Sequence, residues 1–242
     1  WDAETYERDF AFVSRLGRPV LGLLPEPPAS VLDVGCGDGT LAAELAAAGY
    51  RVTATDADKN MVSRARERGL DAVLGDAQEV LPDGPFDAVL SNAALHWMSD
   101  QEAVARRVAG ALADGGVFAG ECGGFGNVAG IRAAIADVLG REAEEALCPW
   151  TFPAPEAFRG ILEGAGFTVD SMEHFERPVA CDAVEWLRQF GMVYLDGVDD
   201  EEAFIDQYRA SAETRLPAAT LDDGRQGVLV DYVRLRWRAT KG

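Results

Sequence analysis

The residues able to do chemistry gather in the first half of the chain. Ser30-Val31-Leu32-Asp33-Val34 reads as a short strand, and Gly35-Cys36-Gly37-Asp38-Gly39 follows it. Thr40 to Ala48 is rich in Ala and Leu and closes at Gly49, a helix-end signal. A glycine-rich turn between strand and helix lets a ligand approach the backbone. The helix start adds unpaired N–H groups and a positive dipole end. A dinucleotide loop needs G-x-G-x-x-G, and counting from Gly35 the third glycine position is Thr40. Asp33 and Asp38 flank the turn and would repel a pyrophosphate. Asp56 ends the next strand about 20 residues on, where a carboxylate accepts hydrogen bonds from two ribose hydroxyls. Asp76-Ala77 follows the third strand, where a base would lie. Acidic groups at successive strand ends suit a cationic nucleoside better than a phosphate-bearing one. The structural alternatives are a tight turn for the glycines and helix capping for Asp56 and Asp76.

His96, one of two histidines, follows the fourth strand at the carboxyl edge where open α/β sheets bind ligands. It can deprotonate an acceptor as a base or hold a carboxylate as a donor. The alternative is a packing histidine beside Trp97. His174 lies in a later strand and reads as structural. Tyr6, Trp97, Phe125, Trp150, Tyr194 and Tyr208 are candidates to line a pocket, with core packing as the alternative for each. Of these, Trp97, Trp150 and Tyr194 are taken as acceptor-binding, since ring faces favour a cationic methyl group. A polyanionic acceptor would need Arg132, Arg177, Arg234 or Arg236, each with a surface ion pair as the alternative. Cys36, Cys122, Cys148 and Cys181 form no C-x-x-C pair and have no histidine at metal spacing. They read as small buried hydrophobes in a reducing compartment, and no metal is expected.

These residues need a scaffold, and the chain alternates accordingly. Strands are expected at 30–34, 51–55, 71–74, 86–90 and 117–121, with helices between them, so βαβ units build a parallel sheet. Asp58 is the expected cap of the helix ending at Gly69, and Ser99 or Asp100 caps the next. Asp2 to Leu24 has helical apolar spacing. The later half reads as a helix over 127–147, an aromatic loop over 149–153 and a short helix over 155–165. A long strand over 167–179, an acidic helical stretch over 182–219 and a closing strand over 228–240 complete it. A final antiparallel hairpin would then join the parallel sheet. The expected organisation is one domain over 1–242, with a core at about 29–122, 155–180 and 228–240. Segments 1–28, 127–153 and 182–226 form a helical lid.

Composition narrows the partners. The chain has 242 residues, long enough to bury a core without staples. It carries 22 basic and 41 acidic residues, a net charge of −19. That argues against nucleic acid and anionic membranes, both of which are bound through clustered Lys and Arg. The lysines are Lys59 and Lys241 alone. An acidic, lysine-poor surface suits high salt, where self-repulsion is screened. No apolar run approaches the ~18 residues of a membrane span, and no signal peptide is visible. A cytoplasmic location is expected.

Val31-Leu-Asp-Val-Gly-Cys-Gly-Asp-Gly39, Asp56, Gly75-Asp76-Ala77 and Phe86-Asp87-Ala88-Val89 together resemble the class I S-adenosylmethionine-dependent methyltransferases. The resemblance covers about 30–122. It implies an α/β, Rossmann-like, seven-stranded mostly parallel sheet of order 3-2-1-4-5-7-6. It implies that Asp33, Gly35, Cys36 and Gly37 face the methionine part of the cofactor. Asp56, with Ala57, takes the ribose, and Asp76 with Ala77 the adenine. Ser91 or Asn92 lies beside the methionine ammonium. A closer resemblance, to the trans-aconitate methyltransferase group, rests on five further motifs. They are Trp1-Asp2…Tyr6, Ser91-Asn-Ala-Ala-Leu-His-Trp97, Gly123-Gly-Phe-Gly-Asn127, Pro149-Trp-Thr-Phe-Pro153 and Asp231-Tyr-Val-Arg-Leu-Arg236. It implies methyl transfer to a carboxylate and places the first helix, with Tyr6, over the cofactor.

The expected function is therefore S-adenosylmethionine-dependent methyl transfer to a small molecule, with a carboxylate as acceptor and S-adenosylhomocysteine as product. The alternatives are O-, N- or C-methylation of another metabolite with His96 as base, or a non-catalytic S-adenosylmethionine-binding protein. The expected partner is a small-molecule acceptor, with no nucleic acid and no membrane, in a monomer or homodimer.

Overall fold

A computed structural model describes residues 12–242, with side chains from residue 15 onward. The elements run α1 (Phe12–Gly17), a 3-10 segment (Arg18–Leu23), β1 (Ser30–Val34), α2 (Thr40–Ala47), β2 (Arg51–Asp56), α3 (Lys59–Glu67) and β3 (Asp71–Leu74). Next come β4 (Phe86–Asn92), α4 (Gln101–Ala111), β5 (Leu112–Gly123), α5 (Ala129–Leu139), α6 (Arg141–Leu147) and α7 (Pro155–Gly164). The chain ends with β6 (Phe167–Glu176), β7 (Val179–Cys181), α8 (Ala183–Phe190), α9 (Glu201–Arg215), β8 (Ala218–Thr220), β9 (Gln226–Val230) and β10 (Val233–Lys241). Tyr6 and the Trp1-Asp2 motif lie outside the described residues. The helix expected over 2–24 is seen only from Phe12, and at Arg18, before Pro19, it tightens into the 3-10 segment.

Seven strands form one sheet in the order β3-β2-β1-β4-β5-β10-β6. Strand by strand this is the expected 3-2-1-4-5-7-6. The pairings β1–β2, β1–β4, β2–β3 and β4–β5 are all parallel. β1 is buried on both faces, as the central strand of such a sheet must be. Its alternate side chains serve two cores. Leu32 and Val34 join Val89, Phe118, Val104, Val108, Phe158 and Leu162 on one side. Val31 joins Leu45, Ala88, Leu90, Ala119 and Val20 on the other. Trp237 of β10 stands edge-on to Phe158 at 4.8 Å and to Phe118 at 5.4 Å. A Cβ at Gly120 would lie 2.4 Å from the Trp237 ring, so only glycine fits under it.

Carboxylates mark the helix starts. Asp58 accepts from the N–H groups of Asn60 and Met61, and Asp100 accepts from that of Ala103. Asp87 accepts from both the N–H and the hydroxyl of Ser30.

The chain makes two compact units. The first holds the described residues up to Phe125, with Thr151–His174 and Leu235–Gly242; the second holds Gly126–Trp150 and Phe175–Arg234. The second unit has its own three-stranded antiparallel sheet, β7-β9-β8, which the sequence reading did not anticipate. The single closing strand expected over 228–240 divides into β9 and β10 because segment 127–130 claims the residues between them. Val128 N–H donates to the Asp231 carbonyl, Gly130 N–H donates to the Asp231 carboxylate, and Val233 N–H donates to Asn127 Oδ1. The helix expected over 127–147 breaks at Gly140, whose φ of 86° ends α5. α5 lies against α9, and Arg132 makes a two-pronged ion pair with buried Glu144 at 2.7 and 3.0 Å.

Candidate active site

The carboxyl ends of β1, β2 and β4 lie side by side in the first unit. Asp33 pairs in register with Ala54 and with Leu90, so Asp56 and Asn92 each stand two residues further along a neighbouring strand. The glycine turn folds over these ends. Gly35 and Cys36 N–H both donate to the Thr55 carbonyl, at 2.8 and 3.0 Å. Gly37 N–H donates to Asp56 Oδ2 at 2.9 Å, and Asp58 N–H donates to Asp56 Oδ1 at 2.9 Å.

The three glycines of the turn all have positive φ, for different reasons. A Cβ at Gly35 would lie 2.2 Å from the Ala94 Cβ, and one at Gly39 would lie 2.6 Å from Leu70 Cδ1. Those two glycines admit neighbouring chain. A Cβ at Gly37 would meet none of the described residues within 4 Å, so among the three this is the one that leaves room for a ligand.

The charges around the turn are unequal in role. Asp38 is occupied: it caps Thr40 and pairs with Arg68 at 2.7 Å. Asp33 is buried, and no described hydrogen-bond donor or cation reaches its carboxyl. Burial, with the Asp56 charge as a second cause, pushes it up to about 7. Burial also raises Asp56, against the N–H groups of Asp58 and Gly37, which favour its charged form. Burial pushes the Cys36 thiol up, so it stays a thiol. Asn92 Oδ1 is buried without a hydrogen-bond partner, and so is Thr55 Oγ1. Ser91, the alternative to Asn92, spends its hydroxyl on the Val34 carbonyl. Asp76 accepts from the Gln78 N–H and side-chain amide, and Ala77 is buried in the core under it. Ala57 is exposed.

His96 sits in a single 3-10 turn after β4, buried between Trp97 and Phe152, with ring centroids 5.7 and 5.8 Å away. Gly123 N–H donates to His96 Nδ1 at 3.3 Å. That bond requires a lone pair on Nδ1, so the neutral ring carries its proton on Nε2. One further charge at this edge escaped the sequence reading, and it engages Arg236. Glu121 of β5, in register with Asn92, is fully buried and pairs with Arg236 at 2.7 Å. Its only signal was a glutamate closing an otherwise apolar strand.

The candidate acceptor residues divide between the units. Trp97 belongs to the first, near Asn92 in sequence. Trp150 and Tyr194 belong to the second and are buried there. Trp150 packs on Trp186 at 5.7 Å and on Tyr194 at 6.0 Å, and the Tyr194 hydroxyl donates to Glu144. Among the described residues no group of His, Cys, Asp and Glu can hold a metal ion. No described helix is long and apolar enough to cross a membrane.

The strand-end residues suit S-adenosylmethionine. An open glycine gives backbone approach, two carboxylates offset positive charge, and an orphaned Asn92 Oδ1 awaits a donor such as an ammonium. The comparisons agree. Residues 32–120 match the methyltransferase-domain family. The whole chain is 36% identical to an uncharacterized methyltransferase, C70.08c, of Schizosaccharomyces pombe, across 98% of that protein. It is 32% identical to a trans-aconitate 2-methyltransferase of Mycolicibacterium gilvum, over 72% of this chain and 71% of the relative. Among solved structures, the YcgJ protein of Bacillus subtilis shares the fold at a TM-score of 0.64 and 18% identity, covering 94% of this chain and 98% of its own. With its strand order, its glycine turn and a full-length relative, the chain belongs to the class I S-adenosylmethionine-dependent methyltransferases and is a methyltransferase that uses that cofactor.

Proposed function

We propose that the acceptor is a small carboxylic acid, methylated on a carboxylate oxygen to give an ester. In the site that goes with this reading, Asp33, Gly35, Cys36, Gly37 and Asn92 surround the methionine end of the cofactor. Asp56 and Ala57 take the ribose, and Asp76 and Ala77 the adenine. When bound, the cofactor supplies a methyl group already activated by its sulfonium, so the protein's task is alignment.

The Gly123–His96 hydrogen bond carries the proposal. A base must accept a proton, and a His96 ring that took one would lose the bond to Gly123 N–H inside a buried site. The neutral ring with Nε2–H is a donor. A carboxylate acceptor is ionised at neutral pH and needs no base; hydroxyl, amine and carbon acceptors usually do. The trans-aconitate 2-methyltransferase relative is consistent with this class of acceptor. The net charge of −19 repels anionic acceptors at long range, so added salt should speed their association.

The test is methyl transfer from labelled cofactor to a panel of small mono-, di- and tricarboxylic acids, at low and high salt. The expected product is base-labile and releases methanol, and the rate stays flat across pH 6–8. A rate that falls below pH ~6.5, near the reference histidine value, on a hydroxyl or amine acceptor would overturn the proposal and make His96 a base.

A further inference from the structure

Asp33 and its surroundings form a set of acceptors with nothing to donate to them. The carboxyl is 3% exposed, one residue before the end of β1, and no described group bonds to it or pairs with it. Two residues on along β4, Asn92 Oδ1 is also unpartnered. Two residues on along β2 stands the second carboxylate, Asp56. Its two backbone N–H bonds tie it to the turn but bring no positive charge.

Among the described residues of the turn, β2, β4 and β5, the other titratable or charged groups are matched elsewhere. In the turn, Cys36 is a thiol, and Asp38 is matched by Arg68. After β4, His96 accepts the Gly123 N–H at Nδ1. On β5, Glu121 is matched by Arg236. Asp87 and Arg51 stand at the opposite, amino ends of their strands. A buried carboxylate in such a place either holds a proton or waits for a cationic ligand.

The cofactor's charges complete the count. The donor brings an ammonium, a sulfonium and its own carboxylate, one net positive charge to face Asp33 and Asp56. The product keeps the ammonium and the carboxylate and brings no net charge. Methyl transfer breaks the S–CH3 bond and leaves its electron pair on sulfur, which becomes a neutral thioether. The new C–O bond uses a lone pair of the acceptor carboxylate, which becomes a neutral ester, and no proton is released. The step itself conserves charge, but once the ester has left, the product complex holds one positive charge fewer than the donor complex.

We propose that Asp33 reads the charge on the cofactor's sulfur, staying ionised with the donor and taking up one proton from solvent with the product. This rests on the donor site assigned above. Asp33 then discriminates between donor and product, and product binding is proton-linked. The elevated proton affinity of Asp33 before any ligand binds agrees in direction.

Calorimetric titration of the protein with S-adenosylmethionine and with S-adenosylhomocysteine tests this from pH 6 to pH 8. Two buffers of different ionisation enthalpy count the protons. The ratio of product Kd to donor Kd is expected to rise on the order of tenfold over that range. Product binding is expected to take up more protons than donor binding. An analogue with an amine in place of the sulfonium should follow the donor, and in Asp33→Asn the ratio should be independent of pH. A ratio that is flat in the wild-type protein, with equal proton counts, overturns the proposal. If Asp33→Asn weakens both ligands alike without a pH-dependent difference, the donor site stands and the charge reading fails. If it changes neither affinity, the donor site itself is misassigned. Should the variant not fold, the wild-type proton counts decide alone.

Discussion

The Asp56 carboxylate bonds to Gly37 N–H with one oxygen and to Asp58 N–H with the other, each at 2.9 Å. One side chain at the end of β2 thus holds the open glycine of the turn and the residue that caps α3. In the proposed donor site, cofactor recognition and local folding are coupled through it.

Asp56→Ala should act on both. Two backbone donors lose their partner, costing about 1–3 kcal/mol in stability. Cofactor Kd should rise by at least about tenfold, more than the stability loss alone produces. Urea denaturation and calorimetry on the same variant separate the effects. Normal affinity in a destabilised protein would show that Asp56 is only a tether.

Gly35 and Gly37 should respond differently to alanine. Gly35→Ala drives a Cβ to 2.2 Å from Ala94 and should destabilise the protein by about 2–4 kcal/mol, from overpacking plus the cost of a left-handed alanine. Gly37→Ala meets none of the described residues and should cost about 1–2 kcal/mol for its backbone alone. Its larger effect should be on cofactor affinity. Thermal melts with and without cofactor read both. Equal stability losses would contradict the assignment of Gly37 as the ligand-facing glycine.

Asp33 gives the ligand-free protein a signed pH dependence. Its folded value of about 7 lies above the ordinary carboxylate value of 3.8, so the folded state binds the proton more tightly. This group's contribution is greatest below about pH 4 and is lost as pH rises toward 7. Asp33→Asn, which keeps the shape of the protonated acid, should be more stable than wild type at pH 8, by on the order of 3 kcal/mol, and similar to it at pH 4. Denaturant titrations at the two pH values check this. A variant less stable at pH 8 would mean that Asp33 is held ionised by the fold.

In the second unit, Arg132→Ala leaves Glu144 buried with only the Tyr194 hydroxyl, so stability should fall by about 3–5 kcal/mol. Pairing Arg132→Met with Glu144→Leu should recover most of the loss, since apolar groups of similar volume replace a buried pair at little cost. A double variant as unstable as the single one would show that the pair holds α5 and α6 by geometry as well as by charge.

Local patterning was enough for the core of the fold and for the strand-end cluster proposed as the donor site. Alternating apolar strands and helices, with glycine turns and Asp caps at 58 and 100, specified a parallel sheet, because period and capping are short-range properties. The Gly35–Gly39 turn and Asp56 were legible because their chemistry depends on neighbours in sequence. Tertiary contacts decided the rest. Which glycine faces open space depends on Ala94 and Leu70, distant in sequence from Gly35 and Gly39. Asp33 and Asp38 look alike on paper; Arg68 reaches one and leaves the other buried without a cation. The division of β9 from β10 follows from hydrogen bonds about one hundred residues apart in sequence. The protonated nitrogen of His96 is set by Gly123, on the next strand. Residue types and spacing encode what a group can do, whereas burial and long-range partners set its charge, and both arise only when distant segments meet.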